Sequence, residues 1–176
     1  MTKSALRRPQ SNEAVPYFFT YIDKVPGNDF LAVLKSSFAR QLAQYQALTP
    51  AQWDHRYAPG KWSVREVLIH LMDSERVFAY RALRISRNDP TPMAGFEQDD
   101  YVPHYEAEGR SIPSLLEEYE LLRRSSVAFF GNMTPTMLER TGTASGGTFS
   151  VLALGYMIAG HELHHEQLYR ERYQVF

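Results

Sequence analysis

His161, Glu162, His164 and His165 fall within five consecutive residues, and His161 and His165 are four apart. On a helix this spacing puts both imidazoles on one face, one turn apart, where they can reach the same metal ion. With about 100° per residue and His161 at the origin, Leu154, Met157, Ile158 and Leu168 lie within roughly 60° of it, and His165 about 40° away. Both rings therefore sit inside an apolar stripe, with His164 at its edge. Two imidazoles in a helical interior have four ring nitrogens to satisfy without water, and coordination takes care of two of them. One histidine so placed reads as a core residue bonded to a carbonyl; two in register read as metal ligands. A third ligand is available in His70, on the border of an earlier stripe centred near Leu71 and Phe78. His55 and His104 lie in connectors and read as loop surface.

The string His161-Glu162-Leu163-His164-His165 also satisfies H-E-x-x-H, the helix of zinc proteases. The metzincin continuation would require Gly at 168 and His at 171, where this chain has Leu168 and Glu171. Little chain follows His165 to supply a distant carboxylate, and no peptide-binding sheet is predicted, so a protease is disfavoured. Glu75 and Arg123 fall inside apolar stripes, whereas Arg124 points outward. Buried charges are costly unless paired, so Glu75 and Arg123 are expected to pair inside the fold near the metal-bearing end, as a supporting pair for any catalysis. Gly142–Gly147 lacks the Gly-Lys-Ser/Thr ending of a phosphate loop and reads as a linker, and there is no Gly-x-Ser-x-Gly elbow. The chain has no cysteine. Disulfides, thiolate nucleophiles and Cys-type zinc sites are excluded, and any sulfur chemistry must use an external thiol.

The elements that must position these residues are helices. Asn28 reads as an N-cap before Phe30, Leu31, Leu34, Phe38, Leu42 and Tyr45. Ser63-Val-Arg-Glu66 is a capping box opening a helix to about Arg87. A third helix is predicted from about Ser111 to Gly131, and a fourth from roughly Thr148 to Tyr173. The loop 88–110 between the second and third is long enough to suggest a functional role. Four long amphipathic helices without useful strands imply an all-α fold, a four-helix antiparallel bundle with long connecting loops. Residues 1–27, with three prolines, form an arm whose aromatic part packs on the body, residues 28–176. Leu152, Tyr156 and Leu163 make the last helix apolar on a second side, which asks for cover from the arm or a second subunit; a homodimer is expected. The 176 residues carry a net charge of -1 and 44% hydrophobic residues, a globular composition with no basic field for nucleic acid. No apolar run suits a membrane span or a secretory leader, so a cytoplasmic location is expected.

Together these residues resemble the DinB/YfiT-like family. The likeness runs through Tyr17–Pro26, Gly60-Lys-Trp62-Ser-Val-Arg-Glu66-Val-Leu-Ile-His70-Leu-Met-Asp-Ser-Glu75, Tyr80-Arg-Ala-Leu-Arg84, Pro92–Val102 and Ile158-Ala-Gly-His161-Glu-Leu-His-His165. The resemblance implies a bundle of four long helices. It also implies a divalent metal, nickel or zinc, held by a histidine of the second helix and a His-x-x-x-His pair of the last, here His70, His161 and His165. Relatives carry out thiol transfer with small thiols such as bacillithiol, or a mycothiol-dependent isomerisation, and several are dimers. The implied function is a metal-dependent enzyme, with S-transferase-like chemistry on a small-molecule substrate. A metal-dependent hydrolase and a non-catalytic metal-binding, stress-related protein are the alternatives.

Overall fold

A computed structural model describes residues 7–176; residues 1–6 of the expected arm lie outside the described residues. Four long helices form the body: α1 (Phe30–Ala47), α2 (Val64–Ser86), α3 (Ile112–Gly131) and α4 (Val151–Leu168), the last continued by a π-helical turn, Tyr169–Tyr173. Short polar residues start each one. Ser63 and Glu66 close a reciprocal capping box on α2, and Ser111 and Ser150 cap α3 and α4. On α1 the cap is Asp29, which accepts from the Ala32 N–H at 3.0 Å, rather than the expected Asn28.

The helix directions differ from a simple antiparallel bundle. Residues in contact rise together along α2 and α3 (Arg65 with Arg110, Glu75 with Arg123), so these two helices run parallel. They also rise together along α1 and α4 (Phe30 with Tyr156, Tyr45 with Tyr169). The long 87–111 connection is therefore the crossover that carries the chain back to the starting end of α2. It contains an α-helical turn, Gln98–Tyr101, and two 3-10 turns, Val102–His104 and Ala107–Gly109, and is pinned by Met93, which exchanges backbone hydrogen bonds with Thr143 and Ser145.

The segment read as a linker is a β-hairpin, β1 (Thr141–Ala144) paired antiparallel with β2 (Gly147–Ser150). Its two-residue turn has positive φ at both Ser145 (49°) and Gly146 (73°), the signature of a type I′ turn. The hairpin takes Thr148 out of the fourth helix, which starts at Val151. Strands this short, each with one glycine, carry no alternating pattern to read.

Nor is α4 amphipathic: every residue from Val151 to Glu162 is buried. It is the central helix. The arm covers its second side, with Phe19–Ile22 lying so close that a Cβ on Gly160 would fall 2.0 Å from the Tyr21 carbonyl oxygen. Tyr156 packs against Phe30 and under the Arg8 guanidinium. Leu152 and Tyr156, expected to need cover, obtain it within one chain; Leu163 is half-buried.

The apolar core comes in two clusters. One gathers Phe30, Leu34, Phe78, Phe130, Leu154 and Met157; the other gathers Tyr45, Trp53, Leu68, Leu115 and Tyr169. Between them runs a buried polar belt to which all four helices contribute: Ser37, His70, Glu75, Tyr119, Arg123, His161, Glu162 and His165. No helix among the described residues is long and apolar enough to cross a membrane.

Candidate metal centre

His161 and His165 project from consecutive turns of α4, and His70 meets them from α2. The ends of these helices fix the mutual register of the rings. Tyr169 Oη donates to the Val64 carbonyl at 3.3 Å and Tyr173 Oη to the Trp62 carbonyl at 2.7 Å, tying the end of α4 to the start of α2. His161 Nε2 lies 3.1 Å from both His70 Nε2 and His165 Nε2, and all three ligand nitrogens lie within 4.8 Å of one another. The rings are buried and walled by aromatics: Trp62 stands 4.9 Å from His70 and Tyr21 5.0 Å from His161, ring centre to ring centre.

Hydrogen bonding alone satisfies this cluster poorly. A neutral imidazole nitrogen is either a donor or an acceptor, so His161 Nε2 must serve both neighbours in a single role. His165 Nδ1 is buried without any protein partner. A cation removes the conflict, because all three nitrogens then present lone pairs. Tetrahedral coordination at the usual Zn–N distance of about 2.0–2.1 Å puts ligand nitrogens roughly 3.3–3.4 Å apart. The two 3.1 Å separations are close to that. The donor set therefore fits a divalent metal ion. Burial pushes the His70 imidazole down to about 4, with repulsion from His164 adding to it. Burial first, and then the neighbouring imidazoles, pushes His161 and His165 well below the usual histidine range. All three are thus neutral at physiological pH, the form that binds metal.

Behind the histidines lies a charge cluster. Arg123 Nε and Nη2 reach Glu75 at 2.9–3.2 Å, while Nη1 and Nη2 reach Glu162 at 2.9 and 2.8 Å. Tyr119 Oη and Ser37 Oγ donate to the two Glu162 oxygens. Burial opposes the Arg123 charge, but the two carboxylates more than offset it and hold its pKa well above the ordinary value. Tyr119 is pushed far up by burial and by the Glu162 charge. Glu75 and Arg123 thus meet in the belt beside the three clustered histidines. Their third partner, Glu162, was missed. It is the Glu of the H-E-x-x-H string, but it faces α1 and α3, away from the histidine cluster, so the string is not a protease site. A signal did exist: a carboxylate on a helix apolar all round has no wet face and must be paired. Arg124 points outward, as read, to Glu120. His164 is half-buried against Tyr21, and His55 and His104 are exposed, none of them within the cluster.

The comparisons agree with this geometry. The model of the DinB superfamily matches residues 34–168. Among solved structures, YfiT from Bacillus subtilis, described as a probable metal-dependent hydrolase with an unusual four-helix bundle topology, superposes with a TM-score of 0.71 at 17% identity, over 94% of this chain and 93% of that one. The mycothiol-dependent maleylpyruvate isomerase superposes with a TM-score of 0.65 at 11% identity, over 88% of this chain and 67% of that one. No curated protein matches the sequence significantly. With four helices in this order, a histidine of α2 facing two of α4, and a family match over most of its length, the chain belongs to the DinB superfamily.

Proposed function

We propose that the protein is a metal-dependent enzyme whose divalent ion, zinc or nickel, is held by His70, His161 and His165. The observation that carries this reading is the convergence of three buried, neutral imidazole nitrogens that hydrogen bonding cannot jointly satisfy. A cavity with His161 in its wall lies beside the centre, which supports turnover over a sealed structural ion. Bound there, a divalent ion supplies Lewis acidity, lowering the pKa of a thiol or a water in an open coordination position. Three neutral ligands leave the ion's charge intact for that purpose. The polar belt holds the histidine-bearing helices in register through Arg123, and Trp62 and Tyr21 limit ring rotation and exclude bulk water.

For the reaction we favour transfer to or from a small external thiol. The chain supplies no thiol of its own, and the likeness to a mycothiol-dependent isomerase supports this direction. Hydrolysis, with water in the thiol's place, is the second reading, supported by the likeness to YfiT. The deciding experiment is elemental analysis of tag-free protein, followed by parallel thiol-conjugation and ester-hydrolysis assays on that preparation. We expect about one divalent ion per chain, lost in His70→Ala, His161→Ala and His165→Ala and kept in His164→Ala and His55→Ala. Equal metal content in the wild type and in a His161→Ala, His165→Ala double variant would refute the metal centre.

A further inference from the structure

The cavity at His161 has a volume of about 250 Å³. Its walls include five aromatic side chains (Tyr17, Phe18 and Tyr21 of the arm, Phe78 of α2, Phe96 of the crossover) and one cation, Arg81. Arg81 is 3% exposed. Both of its hydrogen bonds leave from Nη2, to the Ala94 carbonyl at 3.1 Å and Ser145 Oγ at 2.8 Å, and both acceptors are neutral. Among the described residues no carboxylate lies within ion-pairing distance of it; burial pulls its pKa down and no anion acts against that. Arg123, the other arginine buried to this degree, is held by two carboxylates. A buried guanidinium with no carboxylate paired to it is costly to keep unless an anion arrives with a ligand.

His70, Ser74, Phe78 and Arg81 form one stripe along α2, and Ser74, Phe78 and Arg81 line the cavity that reaches His161. The eleven positions from His70 to Arg81 correspond to roughly 16 Å of helix rise. An anion at Arg81 is therefore a handle remote from the metal, not the reacting group. Glu97 and Asp99, both exposed, stand at the rim and repel multiply charged ligands, so a singly charged planar carboxylate fits better than a phosphate.

We propose that Arg81 is the binding residue for a carboxylate on a small, partly apolar substrate whose other end reaches the three-histidine centre. The anchoring itself follows from the cavity; only the placement of the reacting end rests on the metal-dependent reading. The guanidinium's free nitrogens face the carboxylate, the aromatic walls hold the apolar middle, and the acidic rim excludes dianions.

Titration calorimetry with benzoate on the full chain, with metal removed by chelation and again after zinc loading, tests the anchor apart from the metal. Benzoate is expected to bind in both states and to bind at least roughly tenfold more weakly to Arg81→Gln, with Arg81→Lys in between. Benzamide, its neutral analogue, should bind the wild type roughly tenfold more weakly than benzoate, a comparison that stands even if a variant fails to fold. Phenyl phosphate should also bind more weakly. No benzoate binding, equal affinity for benzoate and benzamide, equal affinity in wild type and Arg81→Gln, or tighter phenyl phosphate binding would each overturn the proposal. Failure of the chain to take up zinc, with benzoate binding retained, would overturn the metal centre and leave the anchor standing.

Discussion

Replacing Arg123 by Met tests whether the polar belt is a working part of the bundle. The guanidinium is 3% exposed and reaches both Glu75 and Glu162 at 2.8–3.2 Å. Methionine fills similar volume without the charge. It leaves two buried carboxylates facing each other, only one of which keeps donors, from Tyr119 and Ser37. Removing one partner of a buried ion pair costs about 3–5 kcal/mol. In a domain of this size each kcal/mol lowers Tm by about 2–4 °C, so a fall of roughly 6–20 °C is expected. The assay is thermal and urea unfolding of chelator-treated protein, so that metal binding does not contribute. Combining Arg123→Met with Glu75→Met removes one of the stranded carboxylates. It should therefore destabilise by less than the sum of the two single changes. An Arg123→Met protein melting within about 2 °C of the wild type, or a double variant showing full additivity, would refute the account.

Other consequences can be measured in the same way. The three imidazoles are held neutral in the folded protein but accept protons once unfolded, near their ordinary pKa of about 6.5. Between that value and the folded value, about 4 for His70, the unfolded state binds more protons, so stability of the metal-free protein should fall as pH drops from about 6.5 towards 4. The slope is at most about 1.4 kcal/mol per pH unit for each histidine, and urea midpoints at pH 7 and 5 should show a shallower dependence in His70→Leu. Gly160→Ala places a Cβ 2.0 Å from the Tyr21 carbonyl oxygen, so the arm must move. Faster proteolysis of the arm and a loss of about 1–3 kcal/mol are expected, and an unchanged cleavage pattern would count against arm docking on α4. Ser63→Ala removes one half of the α2 capping box and should cost about 1 kcal/mol by urea unfolding, without changing metal content.

Much of this molecule is written locally. The capping box at Ser63–Glu66, the cap at Ser111 and the helical period behind them depend on neighbours three and four residues apart, so the long helices can be read from the chain alone. The same period puts His161 and His165 on one face and Glu75 and Arg123 on buried ones. What the chain alone does not carry is anything that depends on which helix lies beside which. The parallel run of α2 and α3 follows from the crossover and the packing, and a wheel drawn for one helix is blind to it. The all-round burial of α4 arises because α1, α2 and the arm enclose it together, and only that enclosure makes Glu162 a buried partner of Arg123. The hairpin at 141–150 is held by a type I′ turn and by Met93 from a distant loop, contacts with no local periodicity. Arg81 shows the division most clearly: it stands three residues after Phe78 in the chain, but the lack of a carboxylate paired to it is a property of the assembled cavity.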